Sequence, residues 1–299
     1  MSTFSRRVFL ATVFGAALAT LAPAFGADFT SGRISVTTEG QGSDVVLIPG
    51  LGSSPRVWRE MVRAVPGYRY HIVHVAGFAG RAPEQNTQGF VAAPVAEEVA
   101  RYIAERALVR PAVIGHSMGG TIGLMIAARH PDALSKLMVL DMVPFLGALF
   151  GPPGTTADSI RPVADAIKAT MNTPDPVARQ VRSSATLAGM IDNVAMREGA
   201  LDDSMTSDQE LVARAMHELV VTDLRGELPR IGVPVTVLYV TPKGPGMSDA
   251  AIDAGYRQAY APIRNVTLKR IAASAHFMMW DQPEQFQAEV RTFLGRPAR

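Results

Sequence analysis

The chain of 299 residues is 47% hydrophobic and contains no cysteine, so it can bury a sizeable core but cannot use disulfides to support it. Its formal net charge of +2 comes from Arg6 and Arg7, because the remaining residues carry equal numbers of acidic and basic groups. This balance gives no indication of a nucleic-acid partner.

The first 27 residues resemble a twin-arginine (Tat) export signal. Ser5-Arg6-Arg7-Val8-Phe9-Leu10 opens an apolar stretch that ends near Leu21 and is shorter than the ~20 residues a membrane-spanning helix needs. Small residues follow and predict cleavage between Ala24 and Asp28. We therefore expect a periplasmic or secreted protein with no stable membrane span once the signal is removed. An uncleaved N-terminal anchor is the alternative.

Strand-like and helix-like segments alternate through the first half of the chain after this leader. Apolar alternation or continuous apolar runs predict strands at 34–38, 45–48, 70–75, 112–115 and 136–141. Apolar residues at helical spacing predict helices at 56–65, 95–108 and 120–129. Residues 45–48 are all apolar, as expected for a strand that is buried on both faces. The alternation predicts an α/β fold whose mostly parallel sheet is covered by helices on both faces.

The pattern changes after Pro144. Residues 145–222 contain no convincing strand, and helices are predicted at 159–171, 177–191 and 208–221. Beyond this segment, strands at 233–240 and 265–271 alternate with helices at 249–260 and 283–294. The sequence thus predicts one α/β core, made of residues 28–144 and 223–299, with a helical cap insertion at 145–222.

One motif lies between a predicted strand and a predicted helix, and it carries a specific chemical implication. Gly115-His116-Ser117-Met118-Gly119 follows the strand at 112–115 and opens the helix at 120–129. In this strand, turn and helix context, G-x-S-x-G predicts a nucleophilic serine on a sharp turn. The following helix directs its free N–H groups and positive dipole end toward the place where an oxyanion would form.

The order of elements resembles the α/β-hydrolase fold over nearly the whole chain after residue 27. The matching pieces are an apolar strand that ends in Gly50-Leu51-Gly52, the serine motif, a helical cap and a late His276 in a loop before Pro283-Glu284. The resemblance implies a serine hydrolase of the esterase or lipase type that acts on a small, apolar molecule. No cofactor or metal is implied, and the oligomeric state is left open.

The resemblance also assigns roles to individual residues. Ser117 is the implied nucleophile, His276 the implied general base, and the backbone N–H groups of Leu51 and Met118 the implied oxyanion hole. His116 is expected to point away from the nucleophile. The other histidines, which we interpret as structural, are His71, His74, His130 and His217.

A catalytic triad consists of a nucleophile, a base and an acid, and the sequence indicates the acid less clearly than the other two members. The family's usual acid lies in the loop after the strand at 233–240, and the first turn of that loop has no acidic residue here. Asp249 lies further along and could equally cap a helix. Asp141 closes the strand at 136–141, from which a carboxylate can still reach the imidazole, and we favour it. A missing or unusual acid is the third alternative.

Other reactions and one non-enzymatic function stay open at this stage. The same triad supports lactone, amide or carbon–carbon bond hydrolysis, and a ligand-binding protein can keep the fold without catalysis. The serine argues against dehalogenase or epoxide hydrolase chemistry, which uses a carboxylate nucleophile in this fold. A dinucleotide loop is disfavoured because Pro55 occupies the third glycine position of G-x-G-x-x-G.

Overall fold

A computed structural model describes residues 29–242 and 248–295. The predicted leader at residues 1–27 lies outside the described residues, as do residues 243–247 of the loop before Asp249. Within the described ranges, seven strands form a single sheet. The strands are β1 (Ile34–Gly40), β2 (Ser43–Ile48), β3 (Tyr68–Val75), β4 (Ala112–His116), β5 (Lys136–Leu140), β6 (Val235–Tyr239) and β7 (Val266–Arg270).

The sheet has the strand order β1-β3-β2-β4-β5-β6-β7. β1 runs antiparallel to β3, and every other pair is parallel, which confirms the predicted mostly parallel sheet. β4 lies at the centre of the sheet, between β2 and β5. Because parallel strands end at the same edge, the loops that follow β2, β4, β5 and β6 are brought together there.

Helices cover the sheet and link its strands. Across the described residues the α-helices are α1 (Arg59–Ala64), α2 (Ala92–Glu105), α3 (Met118–Arg129), α4 (Ala157–Met171), α5 (Pro176–Met190), α6 (Val194–Thr206), α7 (Gln209–Val221), α8 (Asp249–Tyr260), α9 (Met278–Asp281) and α10 (Pro283–Leu294). The helix predicted at 56–65 is instead a 3₁₀ turn, Pro55–Trp58, followed by α1. No helix in the described part of the chain is long and apolar enough to cross a membrane.

Two hydrophobic clusters lie on opposite faces of the sheet. Val46 and Ile48 of β2 belong to a cluster that includes residues of α2 and α3, whereas Val45 and Leu47 belong to one that includes residues of α1 and α10. This alternation follows from the two-residue period of a strand. All four side chains are at most 1% exposed, as the continuous apolar run predicted.

The segment between β5 and β6 is helical. Residues 145–222, all of which the structure describes, form α4, α5, α6 and α7 and contain no strand. The three predicted helices correspond to α4, α5 and α7, and α6 was missed. Sequence periodicity could not show α6, because its two buried residues are a small one, Ala200, and a charged one, Asp203. The domain boundaries at 144/145 and 222/223 stay a prediction.

Candidate active site

Ser117 occupies a strained turn between β4 and α3. Its backbone angles are φ 54° and ψ −119°, a conformation that costs a non-glycine residue about 1–3 kcal/mol. Hydrogen bonds on both sides hold it: its N–H donates to the Leu140 carbonyl (2.9 Å), and its carbonyl accepts from Gly120 N–H (2.8 Å). The turn is therefore fixed by the neighbouring strand β5 and by the first turn of α3.

Two glycines let the backbone pass close to Ser117. A Cβ atom on Gly119 would lie 2.1 Å from the carbonyl oxygen of Ile48, so a side chain there would force α3 away from β2. A Cβ atom on Gly50 would lie 3.1 Å from the Cβ atom of Ser117. The glycine loop after β2 thus runs directly beside the predicted nucleophile.

This close approach bears on the two predicted oxyanion donors. Leu51 directly follows Gly50 in the loop beside Ser117. Met118 is the first residue of α3, where a backbone N–H has no acceptor within the helix. Both donors therefore belong to segments that adjoin Ser117, and their role stays a prediction.

His276 and Asp141 form a hydrogen bond. His276 Nδ1 lies 2.6 Å from Asp141 Oδ2, and both side chains are mostly buried. Because a carboxylate can only accept, Nδ1 carries the hydrogen, which leaves the Nε2 lone pair free to take a proton. The pair therefore holds the imidazole with Nδ1 toward the carboxylate, the orientation and tautomer that a general base acting through Nε2 requires.

Asp141 is itself held from two sides. It follows β5 with a positive φ of 48°, which aspartate tolerates better than most residues. Its N–H donates to the Leu238 carbonyl at 2.7 Å. Its Oδ1 accepts from Val240 N–H at 3.2 Å and from the Tyr256 hydroxyl at 3.1 Å. The carboxylate consequently has one oxygen for these donors and the other for the imidazole.

Asp249, the alternative acid, has different partners. It is the first residue of α8, and its carboxylate accepts from Thr241 Oγ1 at 2.6 Å and pairs with Arg270 at 2.7 Å. Of the two acids that the sequence suggested, the structure brings Asp141 to His276.

His116 contacts the histidine loop, a feature that sequence reasoning missed. Its ring centroid lies 4.5 Å from that of His276, and the expectation that the ring points away from Ser117 stays a prediction. Its Nε2–H donates to the His276 carbonyl at 3.1 Å. Complete burial lowers the pKa of His116 well below its usual value, so the ring is neutral. It therefore holds the histidine loop without placing a positive charge against His276.

Asp281 also supports the histidine loop. Its Oδ2 accepts from Ala275 N–H at 2.9 Å, and its Oδ1 accepts from the N–H groups of Asp192 and Asn193, each at 2.9 Å. Asp192 and Asn193 lie in the link between α5 and α6. One carboxylate therefore ties the histidine loop to the helical insertion.

The glycine loop is tied to the insertion in a similar way. Asp203 of α6 is buried, and its Oδ2 accepts from the N–H (3.0 Å) and the hydroxyl (2.6 Å) of Ser54. Arg56 pairs with Asp203 Oδ1 at 3.2 Å. Sequence reasoning missed this cluster because its members lie nearly 150 residues apart and share no motif.

The four histidines interpreted as structural each have a polar partner. These partners are Asp44 and Tyr102 for His71, the Phe78 carbonyl for His74, Glu97 for His130, and Asp165 for His217. Among the described residues, no group of three or more metal-binding side chains is placed to hold a metal ion.

The fold and the site together define a class of protein. The sequence profile of the alpha/beta hydrolase family matches residues 45–289, a range that spans the glycine loop, Ser117 and His276. The chain therefore belongs to the alpha/beta hydrolase family.

Individual relatives are similar over most of their length. A pimeloyl-[acyl-carrier protein] methyl ester esterase of Vibrio cholerae is 27% identical over 257 residues, which cover 85% of this chain and 92% of the relative. Among solved structures, an esterase from Exiguobacterium antarcticum aligns with a TM-score of 0.71 at 20% identity, and the alignment covers 87% of this chain and 95% of the esterase chain. The enol-lactonase of Burkholderia xenovorans LB400 aligns with a TM-score of 0.70 at 20% identity, and the alignment covers 87% of this chain and 96% of the lactonase chain.

Proposed function

We propose that this protein hydrolyses carboxylic esters of small, apolar molecules through an acyl-enzyme at Ser117. The observation that carries the proposal is the hydrogen bond between His276 and Asp141, in a fold that holds Ser117 on a strained turn beside a glycine loop. Membership of the family and the named esterases among the relatives support the same reaction. The protein is accordingly a carboxylic ester hydrolase.

The reaction proceeds in two halves. Ser117 Oγ attacks the ester carbonyl carbon while His276 Nε2 takes the hydroxyl proton, and the tetrahedral intermediate collapses as Nε2 returns that proton to the leaving alcohol. Water then attacks the acyl-enzyme, again losing a proton to Nε2. The proton passes back to Ser117 Oγ as the carboxylic acid leaves.

The surrounding groups stabilise the charges that develop in these steps. Asp141 fixes the imidazole tautomer and stabilises the imidazolium that forms when Nε2 is protonated. The backbone N–H groups of Leu51 and Met118 bind the oxyanion of the intermediate, and one such donor contributes about 3–4 kcal/mol in serine hydrolases. Catalysis by this chain needs no metal or cofactor in any of these steps.

We further propose that the protein acts outside the cytoplasm, after export by the twin-arginine pathway. Arg6-Arg7 and the apolar stretch after them support this location, and the absence of cysteine is compatible with it. The helical insertion at residues 145–222 acts as the cap over the site, which its ties to the histidine and glycine loops support.

A panel of substrates tests the proposed reaction. p-Nitrophenyl esters from acetate to decanoate, a lactone series and matched anilides are offered to the wild type and to Ser117→Ala. We expect ester turnover by the wild type, weaker or no anilide cleavage, and a loss of at least about 10³-fold in kcat for Ser117→Ala. Folded wild-type protein that binds these compounds but turns none over would favour the ligand-binding alternative.

A further inference from the structure

Tyr256 of α8 reaches the acid of the proposed triad. Its hydroxyl lies 3.1 Å from Asp141 Oδ1, the oxygen that does not bond to His276. The two residues are 115 positions apart, so only the tertiary fold brings them together. Tyr256 does not belong to either of the sequence motifs by which Ser117 and His276 were predicted.

The surroundings of Tyr256 fix its ring in place. It stacks on Tyr239 of β6, with ring centroids 4.1 Å apart and planes inclined by 16°, and lies parallel to Tyr260 at 6.3 Å. Tyr239 is in turn bonded through its hydroxyl to Asp253 at 3.0 Å. Stacked rings of this kind leave the phenol little freedom to turn away from Asp141.

The phenol is a donor to the carboxylate and keeps its proton. Burial raises the pKa of Tyr256 well above its usual value, and the nearby charge of Asp141 raises it further. A neutral phenol facing a carboxylate donates its hydrogen, and hydrogen bonds to charged groups are stronger than neutral ones.

We propose that Tyr256 is a positioning residue for ester hydrolysis, whose hydroxyl orients the Asp141 carboxylate so that Oδ2 faces His276. Val240 N–H donates to the same oxygen, Oδ1, from the end of β6. Two donors on Oδ1, together with the bond from Oδ2 to His276, restrain rotation of the carboxylate more than one donor alone would. The inference rests on the proposed function, because the importance of this orientation depends on the catalytic use of His276.

The Tyr256 hydroxyl also weakens the electrostatic attraction between the Asp141 carboxylate and a protonated His276, because its hydrogen bond to Oδ1 partly neutralises the carboxylate charge. Within the described ranges, the polar side chains that interact with Asp141 include those of His276 from its loop and of Tyr256 and Tyr260 from α8. Removal of the Tyr256 hydroxyl leaves more of the carboxylate charge to His276. The imidazolium form is then favoured, so protonation inactivates the enzyme at a higher pH.

The test compares Tyr256→Phe with Tyr260→Phe, a matched control from the same helix. The Tyr260 hydroxyl is buried and donates to the Met142 carbonyl at 2.7 Å, whereas the bond from Tyr256 to Asp141 is partly buried, so each variant loses one tertiary hydrogen bond of a tyrosine hydroxyl. For Tyr256→Phe we expect kcat to fall about tenfold with little change in KM. The low-pH limb of its kcat/KM profile shifts to higher pH, and the low-field proton resonance of His276 Nδ1–H moves. Tyr260→Phe lowers the melting temperature but moves these readouts much less than Tyr256→Phe, because the Tyr260 hydroxyl donates to the Met142 carbonyl and not to Asp141.

Two outcomes would overturn the inference. In the first, both variants share the same kinetics, pH profile and Nδ1–H resonance and differ from wild type only in melting temperature, which shows a purely structural role. In the second, Tyr256→Phe changes kcat without moving the pH profile or the resonance. The Nδ1–H resonance is measured without substrate, so it tests the effect of Tyr256 on the pair of His276 and Asp141 independently of turnover. A wild-type protein without esterase activity would contradict the proposed function, and the resonance would still test the contact between Tyr256 and Asp141.

Discussion

Asp141 lies beside Ser117 because of the register of the sheet. β4 and β5 are parallel, with His116 paired to Leu140, so the next residue of each strand, Ser117 and Asp141, leave the sheet side by side. Both have positive φ angles, and both are held by hydrogen bonds from their backbone N–H to the adjacent strand. An acid at this position reaches the imidazole from the strand next to the nucleophile, whereas Asp249 pairs with Arg270.

Substitution of the two acids separates their roles. Asp141→Asn keeps the shape of the side chain but removes the charge and favours the wrong imidazole tautomer, so we expect kcat on a p-nitrophenyl ester to fall by about 10²–10⁴-fold. Asp249→Asn, the control, should stay within about twofold of wild type, because Asp249 has no partner in the proposed triad. Steady-state kinetics of both variants give the comparison, and the reverse pattern would assign the acid to Asp249.

The site residues that belong to a sequence motif were predictable, and those that join the site only through tertiary contacts were not. Ser117 and His276 were named from local sequence context, and the structure gives Ser117 a strained turn and His276 an acidic partner. The sequence left the choice between two acids open, because it does not show which loop faces the imidazole. Tyr256 had no signal at all, since its partner is distant in sequence and its residue type is common in protein cores.

At the scale of elements, α6 and the link before it hold both loops of the proposed site. Asp203 binds the glycine loop through Ser54, and Asp281 binds the link at Asp192 and Asn193. Arg56 completes the first contact by pairing with Asp203. The positions of the glycine loop and the histidine loop therefore depend on α6 and the link before it, which supply none of the reacting groups.

Neighbouring aspartates on α6 allow a matched test of this dependence. Asp203 is buried, whereas Asp202 pairs with the same arginine from an exposed position. Asp203→Asn removes the charge of a buried carboxylate that pairs with the partly exposed Arg56, and it weakens the contact with Ser54. We therefore expect a loss of about 1–3 kcal/mol in the free energy of unfolding and a several-fold lower kcat. Asp202→Asn should be near wild type in both. Denaturant unfolding and ester kinetics measure the two effects, and equal behaviour of the variants would contradict the account.

Elements were predictable where they begin and end on clear local signals. The predicted bounds of α8 and α10 agree with the structure, because Ser248 caps the first helix and Pro283 opens the second. The buried strands were predicted from their continuous apolar runs. α6 was missed because its buried contacts are polar, and hydrophobic periodicity detects only apolar faces.

At the scale of the whole molecule, the predicted fold class is confirmed. A mostly parallel sheet with a hydrophobic cluster on each face follows from the alternation of strand and helix patterns along the chain. The lack of cysteine means that the proposed export would leave no disulfide to form afterwards.

The proposed export is tested on the full chain. With Arg6→Lys and Arg7→Lys together, we expect the precursor to remain in the cytoplasm at full length, because the pathway recognises the arginine pair. The wild-type protein should be found in the periplasm with a mature N-terminus at one of residues 25–28. Cell fractionation and N-terminal sequencing provide both readouts. An intact leader in the periplasmic or membrane fraction would favour the uncleaved anchor.

Covalent labelling tests the central claim most directly. A fluorophosphonate probe reacts only with a serine whose hydroxyl is activated, and peptide mapping by mass spectrometry locates the adduct. The account predicts a single adduct on Ser117 in the folded wild-type protein, much slower labelling in His276→Ala, and none in Ser117→Ala. Folded wild-type protein that stays unlabelled, or that carries its adduct on another serine, would contradict it.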